Sequence, residues 1–433
     1  MNTRILLKNL TQEIPYFPGN FLKFVPYRVR LGNDYTKYSK LVLDIENNNN
    51  QNRLNYLVYH LNSIVNYAQK NIPFYQKLYG RSCIKIQSVS DFEKLPIITR
   101  KEIREYTKQS SGKYFLNTGG SSGEPLSFYV DKNAWAREWA HMHYIWGKSD
   151  YNHTDLMITM LGKNIGEKVY QYNAVHNEFR LNPYINAGDY SKKFINLLNK
   201  FPVKFFQGYP SSVYNFLKEI EPFLSDDEKI NISNQIKCCF LSSEYPLPYM
   251  IDYIRDIWNL NYISWYGHSE MCVLAYDDKM LGNYKPLITY GYAEEVNNIL
   301  IGTSFHNYDM PLIRYSTDDG IEGEKDEFGI LDSFKITSGR DGDFILDKYS
   351  KKIPLTSFIF GRHHKIFEVA DFVQIKQSIE GHAEFWITIK NNTSLVEESI
   401  STLFDLSNIN MTFKFKIIKQ PVLTNAGKLK LKI

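Results

Sequence analysis

The segment 117–125 carries residue types that suit phosphate binding. Glycines let a backbone turn where a Cβ atom would clash, so successive N–H groups can point into one hollow that hydroxyl groups complete. The glycines are Gly119, Gly120 and Gly123, and the hydroxyls belong to Thr118, Ser121 and Ser122. A Walker A loop needs Gly-Lys-Ser/Thr followed by a helix, which this segment lacks. We predict a polyphosphate loop, with a flexible surface hairpin as the alternative for the segment taken alone.

A second candidate is the run Tyr-Gly-His-Ser-Glu at 266–270, which follows a predicted strand over 262–266. Mg²⁺ takes one or two carboxylates together with phosphate oxygens. Glu270, placed after the turn at Gly267, is therefore a candidate magnesium ligand, and an exposed turn glutamate is the alternative. His268 fits a pocket wall better than a catalytic base.

Two further clusters could bind anions or hydroxyls. Asp318 and Asp319 follow a short apolar strand that we predict before them, where carboxylates could bind a ribose diol or simply face solvent. Lys428 follows a glycine in the last turn, where it could reach an anion if its whole domain moved. A solvated strand with Lys430 and Lys432 is the alternative. A metal site at 363–368 is disfavoured because adjacent histidines on a strand face opposite ways.

The elements that must position these residues alternate between helix and strand. Apolar spacing predicts a helix over 53–68 and an aromatic-rich helix over 134–146. Residues 99–102 resemble a capping box. Strands are predicted on both sides of the 117–125 loop, and strands and helices alternate between 155 and 260, with Ser211 as a helix cap. This pattern predicts an α/β fold whose ligands lie beyond the strand ends. Strands over 384–389 and 413–418 with a helix over 395–404 predict a small α+β domain.

Composition restricts the function classes. The 433 residues are 43% hydrophobic and carry a net charge of +4. Because this charge is small and the sequence shows no concentrated Lys/Arg patch, nucleic-acid binding is not favoured. The four cysteines lack C-x-x-C spacing, so neither zinc nor disulfides are indicated. No apolar run approaches the roughly 20 residues needed to cross a bilayer. We expect a cytoplasmic protein without a transmembrane segment.

Taken in order, these motifs resemble the adenylate-forming ligase superfamily, and more narrowly its phenylacetate–CoA ligase branch, which includes members that accompany capsule and O-antigen synthesis. The resemblance covers nearly the whole chain. The matching segments are 67–75, 95–102, 118–125, 208–211, 242–244, 266–270, 310–319, 339–343 and 427–428. The chain departs from the wider pattern at Leu126, Asp318 and Gly342. Because Gly342 stands where a hinge aspartate is usual, Asp341 or Asp343 would serve in its place.

The resemblance implies a large multi-sheet domain over 1–340 and a small mobile α+β domain over 341–433. It also implies ATP and Mg²⁺ as cofactors, with CoA or an amine as acceptor. Phosphates would bind to Thr118, Gly120, Ser121, Ser122 and Gly123, and the rest of the nucleotide to Glu244, Tyr266, Gly267, Ser269, Asp319 and Arg340. Glu270 would hold the metal, and Lys428 with Glu270 would be catalytic. The acid would contact His141, Tyr209, Trp265 and His268.

The implied function is AMP-forming activation of a carboxylic acid, followed by acyl transfer, in surface polysaccharide biosynthesis. An aryl-acid CoA ligase and a non-catalytic nucleotide-binding relative are the alternatives. The identity of the acid, the acceptor and the oligomeric state do not follow from the sequence.

Overall fold

The computed structural model describes residues 14–433 apart from 81–83, 109, 113, 118–125, 164, 186, 339–343, 356–357, 360–361, 363, 390–396 and 423–430. Its α-helices are Tyr16–Gly19, Tyr27–Leu31, Asn33–Glu46, Asn50–Asn71, Pro73–Tyr79, Val89–Phe92, Arg100–Lys108, Ala134–Gly147, Ala187–Lys200, Pro210–Ile220, Asp226–Gln235, Pro248–Asp252 and Glu397–Ile400. A π-helical turn, Tyr253–Ile257, continues one of them, and 3₁₀ turns cover Asn20–Phe24, Glu221–Phe223, Lys365–Glu368 and Ser401–Leu403. Within these residues, none of the helices combines the length and apolar character that crossing a bilayer requires.

The strands fall into five sheets. They are β1 Tyr114–Asn117, β2 Ser127–Val130, β3 Leu156–Met160, β4 Tyr170–Asn173, β5 Glu178–Leu181, β6 Val203–Gly208, β7 Cys238–Ser242, β8 Tyr262–Gly267, β9 Leu274–Asp277, β10 Lys285–Pro286, β11 Gly291–Val296, β12 Ile299–Ser304, β13 Tyr315–Lys325, β14 Leu331–Ser338, β15 Phe344–Leu346, β16 Lys352–Pro354, β17 Ala370–Ile379, β18 His382–Ile389 and β19 Thr412–Ile417. This mixture of helices and several sheets confirms the predicted α/β class.

The central sheet has eight strands in the order β10-β9-β8-β7-β6-β3-β5-β4. Strands β5, β3, β6, β7 and β8 are parallel, and antiparallel strands complete both edges. Alternate residues of β7 enter two different cores, Cys238 and Phe240 on one face and Cys239 and Leu241 on the other. A sheet covered on both faces presents ligand sites only at its strand ends, as the sequence predicted.

A four-stranded antiparallel sheet, β11-β12-β13-β14, lies in the same core as one face of the central sheet. The pairing of β12 with β13 shifts between Ile301↔Ser316 and Ile299↔Gly320, so residues 317–319 form a bulge. Asp318 has a positive φ of 63° within it. The expectation that the two aspartates follow a short strand was wrong, because they lie inside β13, at the bulge that re-aims their side chains.

The strands on both sides of the 117–125 segment confirm the predicted strand–loop–strand unit. β1 and β2 pair antiparallel from Tyr114↔Val130 to Asn117↔Ser127. The loop residues themselves, 118–125, lie outside the described part of the chain. The pairing nevertheless fixes where the two ends of the loop stand, because Asn117 and Ser127 face each other at the end of the ladder.

A third core is formed by residues from Ile345 onward, together with Tyr184 of the preceding part of the chain. It covers the three-stranded sheet β17-β18-β19, in which β18 and β19 are parallel. The guanidinium carbon of Arg362 lies 4.2 Å from the ring centre of Tyr184, and Lys351 Nζ lies 3.6 Å from the Glu219 carboxylate. These contacts connect the C-terminal part to the central sheet. The domain boundary at 340/341 stays a prediction.

Several local predictions are confirmed and one is wrong. The capping box at 99–102 forms, with Thr99 N donating to Glu102 Oε2 at 2.8 Å. The 53–68 periodicity belongs to Asn50–Asn71, whose N-cap is the Asn49 side chain. Ser211 is not a cap, because Pro210 already occupies the first turn of the helix and Tyr209 is the N-cap residue.

Candidate functional site

Three parallel strands carry the candidate residues to one edge of the central sheet. Tyr209 follows β6, Glu244 lies two residues beyond β7, and Gly267 is the last residue of β8. Since β6, β7 and β8 are adjacent and parallel, their carboxyl ends meet at the same edge. The sheet therefore brings together the residues predicted for the nucleotide and the acid. Ser269 and Gly267 are exposed there, and Trp265 is half-buried.

Glu244 is anchored rather than free at this edge. One of its carboxylate oxygens accepts a hydrogen bond of 3.0 Å from the backbone N–H of Ser211. This N–H lies in the first turn of helix Pro210–Ile220, where N–H groups lack intrahelical partners and favour negative charge. The contact positions the residues after β6 and β7 against each other.

The central sheet and the four-stranded sheet are joined at the site by one short hydrogen bond. Tyr266 Oη donates to Asp319 Oδ2 at 2.6 Å. Tyr266 belongs to β8, and Asp319 lies in the bulge of β13. The bulge therefore aims this carboxylate at the strand-end edge, beside the segment that carries Glu270. Asp319 and Tyr266, predicted to contact the same nucleotide, are in direct contact.

Glu270 is a buried carboxylate held by two side chains. Its Oε2 contacts His268 Nδ1 at 3.2 Å, and its Oε1 accepts a longer bond of 3.4 Å from Tyr315 Oη. Burial would raise the pKa of Glu270, but the hydrogen bond and charge of His268 and the charge of Arg100 outweigh it and lower the pKa to about 2. The carboxylate is therefore ionised at neutral pH, as a cation ligand must be.

Arg100 is a part of the site that sequence reasoning missed. Its Nε donates to Asp318 Oδ2 at 3.1 Å, and its charge acts on Glu270. The sequence showed Arg100 only as the start of a helix, and no local pattern connects it to an aspartate 218 positions away. The permanent cation Arg100 thus faces the carboxylates of Glu270 and Asp318.

Glu138 is a second residue that was missed. Its Oε2 accepts a short hydrogen bond from Tyr290 Oη, and its charge interacts with that of His268. Burial raises the pKa of Glu138 to about 7, and the Tyr290 hydrogen bond and His268 only partly offset this. The sequence showed this position only as one member of the aromatic-rich helix.

The residues predicted to contact the acid fall into two groups. His268 and Trp265 are half-buried at the strand-end edge, and Tyr209 is buried next to it. His141 is 0% exposed, with Nδ1 2.7 Å from Arg137 O and Nε2 3.1 Å from Thr289 Oγ1. The structure gives His141 a core position, and burial lowers its pKa to about 4. It does not line the exposed edge of the site.

Several predicted residues lie outside the described part of the chain. They are Thr118, Gly120, Ser121, Ser122, Gly123, Arg340 and Lys428, together with the hinge candidates Asp341 and Asp343. Their roles stay predictions. Cys238, Cys239 and Cys272 are buried free thiols.

The described residues suit a divalent cation bound mainly through nucleotide phosphates. Among them, no group of three His, Cys, Asp or Glu side chains could hold a metal ion alone. Mg²⁺ keeps several waters and takes only one or two carboxylates beside phosphate oxygens. The ionised Glu270 matches that need, whereas a site built entirely from protein ligands does not form in this part of the structure.

Comparisons with known proteins support the same assignment of the fold. 2-Hydroxyisobutyryl-CoA ligase, in complex with 2-HIB-AMP and CoA in the thioesterification state, matches with a TM-score of 0.51 over 89% of this chain and 90% of that one, at 14% identity. The chain shares the fold of this ligase. In the postadenylation state the same ligase, in complex with R3-HIB-AMP, matches with a TM-score of 0.48, 16% identity and coverage of 89% and 90%. No family model matches the sequence.

A relative is also found by sequence. Protein CapK of Staphylococcus aureus is 26% identical over 302 residues, which are 65% of this chain and 66% of CapK. The aligned region thus spans slightly less than two thirds of that relative. The fold shared with the ligase agrees with the fold that the resemblance found in the sequence implies, and CapK is a relative at the level of sequence.

Proposed function

We propose that this protein is an AMP-forming ligase that activates a carboxylic acid with ATP. The observation that carries the proposal is that the Tyr266–Asp319 hydrogen bond and the buried, His268-bound carboxylate of Glu270 both lie at the carboxyl ends of the central strands, within the fold of an acyl-CoA ligase. Glu270 offers an ionised carboxylate for Mg²⁺, and Asp319 offers a carboxylate that Tyr266 orients for a ribose. The strand-end edge of an α/β sheet is where nucleotides bind in this architecture.

In the reaction, a carboxylate oxygen of the acid attacks the α-phosphorus of ATP. The bond from that phosphorus to the bridging oxygen of the β-phosphate breaks, and pyrophosphate leaves with the electron pair. The protein has to align two anions and offset the charge that builds on the phosphate. Magnesium, when bound, neutralises part of that charge, and Glu270 would hold it.

The chain's other residues would position the reactants. Asp319, held by Tyr266, would accept hydrogen bonds from the ribose hydroxyls together with Arg340. Glu244, fixed by the Ser211 N–H, would border the adenine with Tyr266. The 118–123 loop would bind the β- and γ-phosphates from the end of the β1–β2 hairpin. Lys428 would bridge the α-phosphate and the acid as a point charge.

In the second step the acyl group passes to a thiol or an amine, and AMP leaves with the oxygen that came from the acid. CoA is the acceptor in the ligase whose fold this chain shares. An amine acceptor, which would place an amide on a surface sugar or its precursor, agrees with the branch resemblance. Rotation of a domain that begins near 341 would separate the two steps.

An ATP–pyrophosphate exchange screen tests the proposal. Aryl acids, amino acids and sugar acids are offered to the full-length protein with Mg²⁺, with and without CoA. Exchange that depends on one class of acid is expected, and CoA or an amine should then consume the adenylate. Absence of exchange with every class, or formation of ADP in place of AMP, would contradict the proposal.

A lysine variant separates catalysis from binding. Lys428→Ala should slow adenylation by on the order of 10²–10³-fold, as expected for loss of a group that stabilises developing charge. ATP binding, measured by isothermal titration, should change much less. A non-catalytic nucleotide-binding protein would show neither exchange nor any effect of this substitution.

A further inference from the structure

Three phenylalanine side chains face solvent in the first described segment of the chain. Phe17 is 70% exposed, and Phe21 and Phe24 are each 65% exposed. Only five phenylalanines of the described residues are exposed, and three of them fall within residues 17–24. Single apolar side chains on a surface are normal, whereas a group of them in one place marks an interaction site. None of the residues assigned to the proposed reaction lies in this segment.

The segment is anchored to the protein through other apolar side chains. Those that pack against the core on one face of the central sheet are Ile14, Tyr16 and Leu22. Gly19 lies so close to the end of β4 that a Cβ atom there would stand 3.0 Å from Ala174 Cβ. The apolar residues of the segment are thus divided between an inner set that anchors it and an outer set of phenylalanines that faces water.

The guanidinium of Arg30 fixes the path of the chain that carries the rings. Its Nε donates to Val25 O at 2.9 Å, its Nη1 donates to Val175 O at 2.8 Å, and its Nη2 donates to Leu22 O. One side chain therefore ties together three carbonyl groups from two distant parts of the sequence. A partner that binds the rings meets a surface that is already arranged, so it loses little free energy in ordering the chain.

Phe21 and Phe24 stand on the same side of a helical turn. They are three residues apart in the 3₁₀ turn Asn20–Phe24, and a 3₁₀ helix has three residues per turn. Lys23 lies between them, and its Nζ is 5.2 Å from the centre of the Phe24 ring. A lysine in this position can keep its charge among polar headgroups while the neighbouring ring is buried below it.

The charge around these rings is positive. Residues 14–31 contain three lysines or arginines and no Asp or Glu. The next acidic residue, Asp34, already forms an ion pair of 3.1 Å with Arg137. Exposed aromatic rings with basic neighbours match an anionic lipid surface, where the rings enter the boundary between headgroups and acyl chains and the cations attract the headgroups.

A second exposed phenylalanine shows the opposite charge pattern. Phe223 is 57% exposed, but residues 221–228 contain four acidic residues and no lysine or arginine. An anionic surface would repel that segment. Exposure of an aromatic ring alone therefore does not distinguish the two places, whereas the charge of the surrounding residues does.

We propose that Phe17, Phe21 and Phe24, together with Lys23, form a surface that binds the headgroup region of an anionic lipid bilayer and holds the protein peripherally at a membrane. Binding through a few rings and charges is reversible, because the apolar area that enters the bilayer is small. The inference goes beyond the proposed adenylation and does not depend on it, since vesicle binding is measured without ATP or an acid.

Sedimentation with lipid vesicles tests the inference on the full-length protein. Vesicles of phosphatidylcholine alone are compared with vesicles that also contain about one quarter phosphatidylglycerol, at low and at high salt. The wild type is compared with Phe21→Ser/Phe24→Ser, with Lys23→Gln and with the matched control Phe223→Ser. Because none of the substituted side chains is buried, each variant should keep the Tm of the wild type, which thermal unfolding checks.

The wild type and Phe223→Ser should bind the anionic vesicles equally well and should bind phosphatidylcholine vesicles much more weakly. The double phenylalanine variant should lose on the order of 100-fold in the partition coefficient, which is about tenfold for each ring that no longer enters an apolar environment. Lys23→Gln should lose about fivefold, the contribution of one basic residue near an anionic surface. High salt should weaken the binding of the wild type more than that of Lys23→Gln.

Failure of the wild type to bind anionic vesicles would overturn the inference, as would equal losses in Phe223→Ser and in the double phenylalanine variant. Equal binding to both kinds of vesicle would overturn the choice of an anionic surface. Light scattering after size exclusion, without lipid, provides a further check. A dimer that Phe21→Ser/Phe24→Ser dissociates would assign the surface to a second copy of this chain and overturn its assignment to a bilayer.

Discussion

Glu270 and Glu138 both interact with His268, but their surroundings shift their pKa values in opposite directions. Glu270 meets His268 and the charge of Arg100, which lower its pKa to about 2 against the effect of burial. For Glu138, burial outweighs the Tyr290 hydrogen bond and the charge of His268 and raises the pKa to about 7. Carboxylates whose pKa values are pushed apart take different roles. The first remains charged for a cation, and the second is suited to exchanging hydrogen bonds with a neutral or polar group.

The difference shows how burial and neighbouring charge decide the charge state of a carboxyl. Arg100 and His268 both lie on the side of Glu270, whereas the hydroxyl of the core residue Tyr290 holds Glu138 on the other. Each prediction below alters one side and leaves the other in place.

The largest effect is expected for Glu270→Gln. The substitution keeps the size of the side chain and removes the charge that would hold the metal, so adenylation should fall by about 10²–10³-fold. Pyrophosphate exchange at saturating Mg²⁺ measures it. Glu105→Gln, on the exposed face of helix Arg100–Lys108, is the matched control and should be unaffected. Full activity of the Glu270→Gln variant would contradict the proposed role of the Glu270 carboxylate in holding the metal.

A smaller loss is expected for Arg100→Gln. Removing this guanidinium takes away one of the charges that hold Glu270 ionised, and we expect adenylation to drop on the order of tenfold. Asp318→Asn breaks the 3.1 Å ion pair but keeps Arg100, and the Asp318 side chain is 60% exposed. Such an exposed ion pair contributes little to stability, so the adenylation rate of this control variant should fall by at most about twofold. Equal losses in both variants would mean that only the ion pair matters.

Tyr266→Phe should act on nucleotide binding. It removes the donor to Asp319 and frees the carboxylate to rotate, at a cost of about 1 kcal/mol or roughly fivefold in the KM for ATP. The kcat should change little if the bond is equally important in the ground state and the transition state. Steady-state kinetics with varied ATP measures both constants. A fall in kcat at constant KM would place Tyr266 in the chemical step.

The smallest effect concerns the pH dependence of stability. Because the pKa of Glu138 is raised to about 7 in the folded protein, the folded state holds this proton more tightly than the unfolded chain does. Its contribution to stability is present below the ordinary pKa of 4.5 and is lost as the pH rises through about 7. Between about pH 5 and about pH 8, the Tm of Glu138→Gln should therefore fall by about 1–2 °C less than the Tm of the wild type. Parallel Tm profiles would contradict the raised pKa.

What the sequence predicted well depends on neighbours along the chain. The capping box at Thr99 and Glu102 spans one helical turn, and the β1–β2 hairpin is bounded by residues about ten positions apart. Strand ends at Gly208, Ser242 and Gly267 follow from apolar runs that stop at turn residues. Because parallel strands align their carboxyl ends, these local features were sufficient to bring the predicted segments to one edge.

What it missed depends on distant contacts. The bulge at 317–319 arises from pairing with β12, and it determines that Asp319 reaches Tyr266. Glu138 meets Tyr290 across 152 positions, and no local spacing distinguishes it from the other polar residues of its helix. His141 was predicted to contact the acid, yet it lies in the core, where its two ring nitrogens meet Arg137 O and Thr289 Oγ1.

The most direct test of the central claim follows an oxygen atom. The acid selected by the exchange screen is labelled with ¹⁸O in its carboxylate, and the full-length protein is given ATP, Mg²⁺ and an acceptor, CoA or an amine. If the carboxylate attacks the α-phosphate and the acyl group then leaves, mass spectrometry should find one ¹⁸O in the AMP and none in the pyrophosphate. AMP without label, or labelled phosphate beside ADP, would contradict the formation of an acyl-adenylate by this protein.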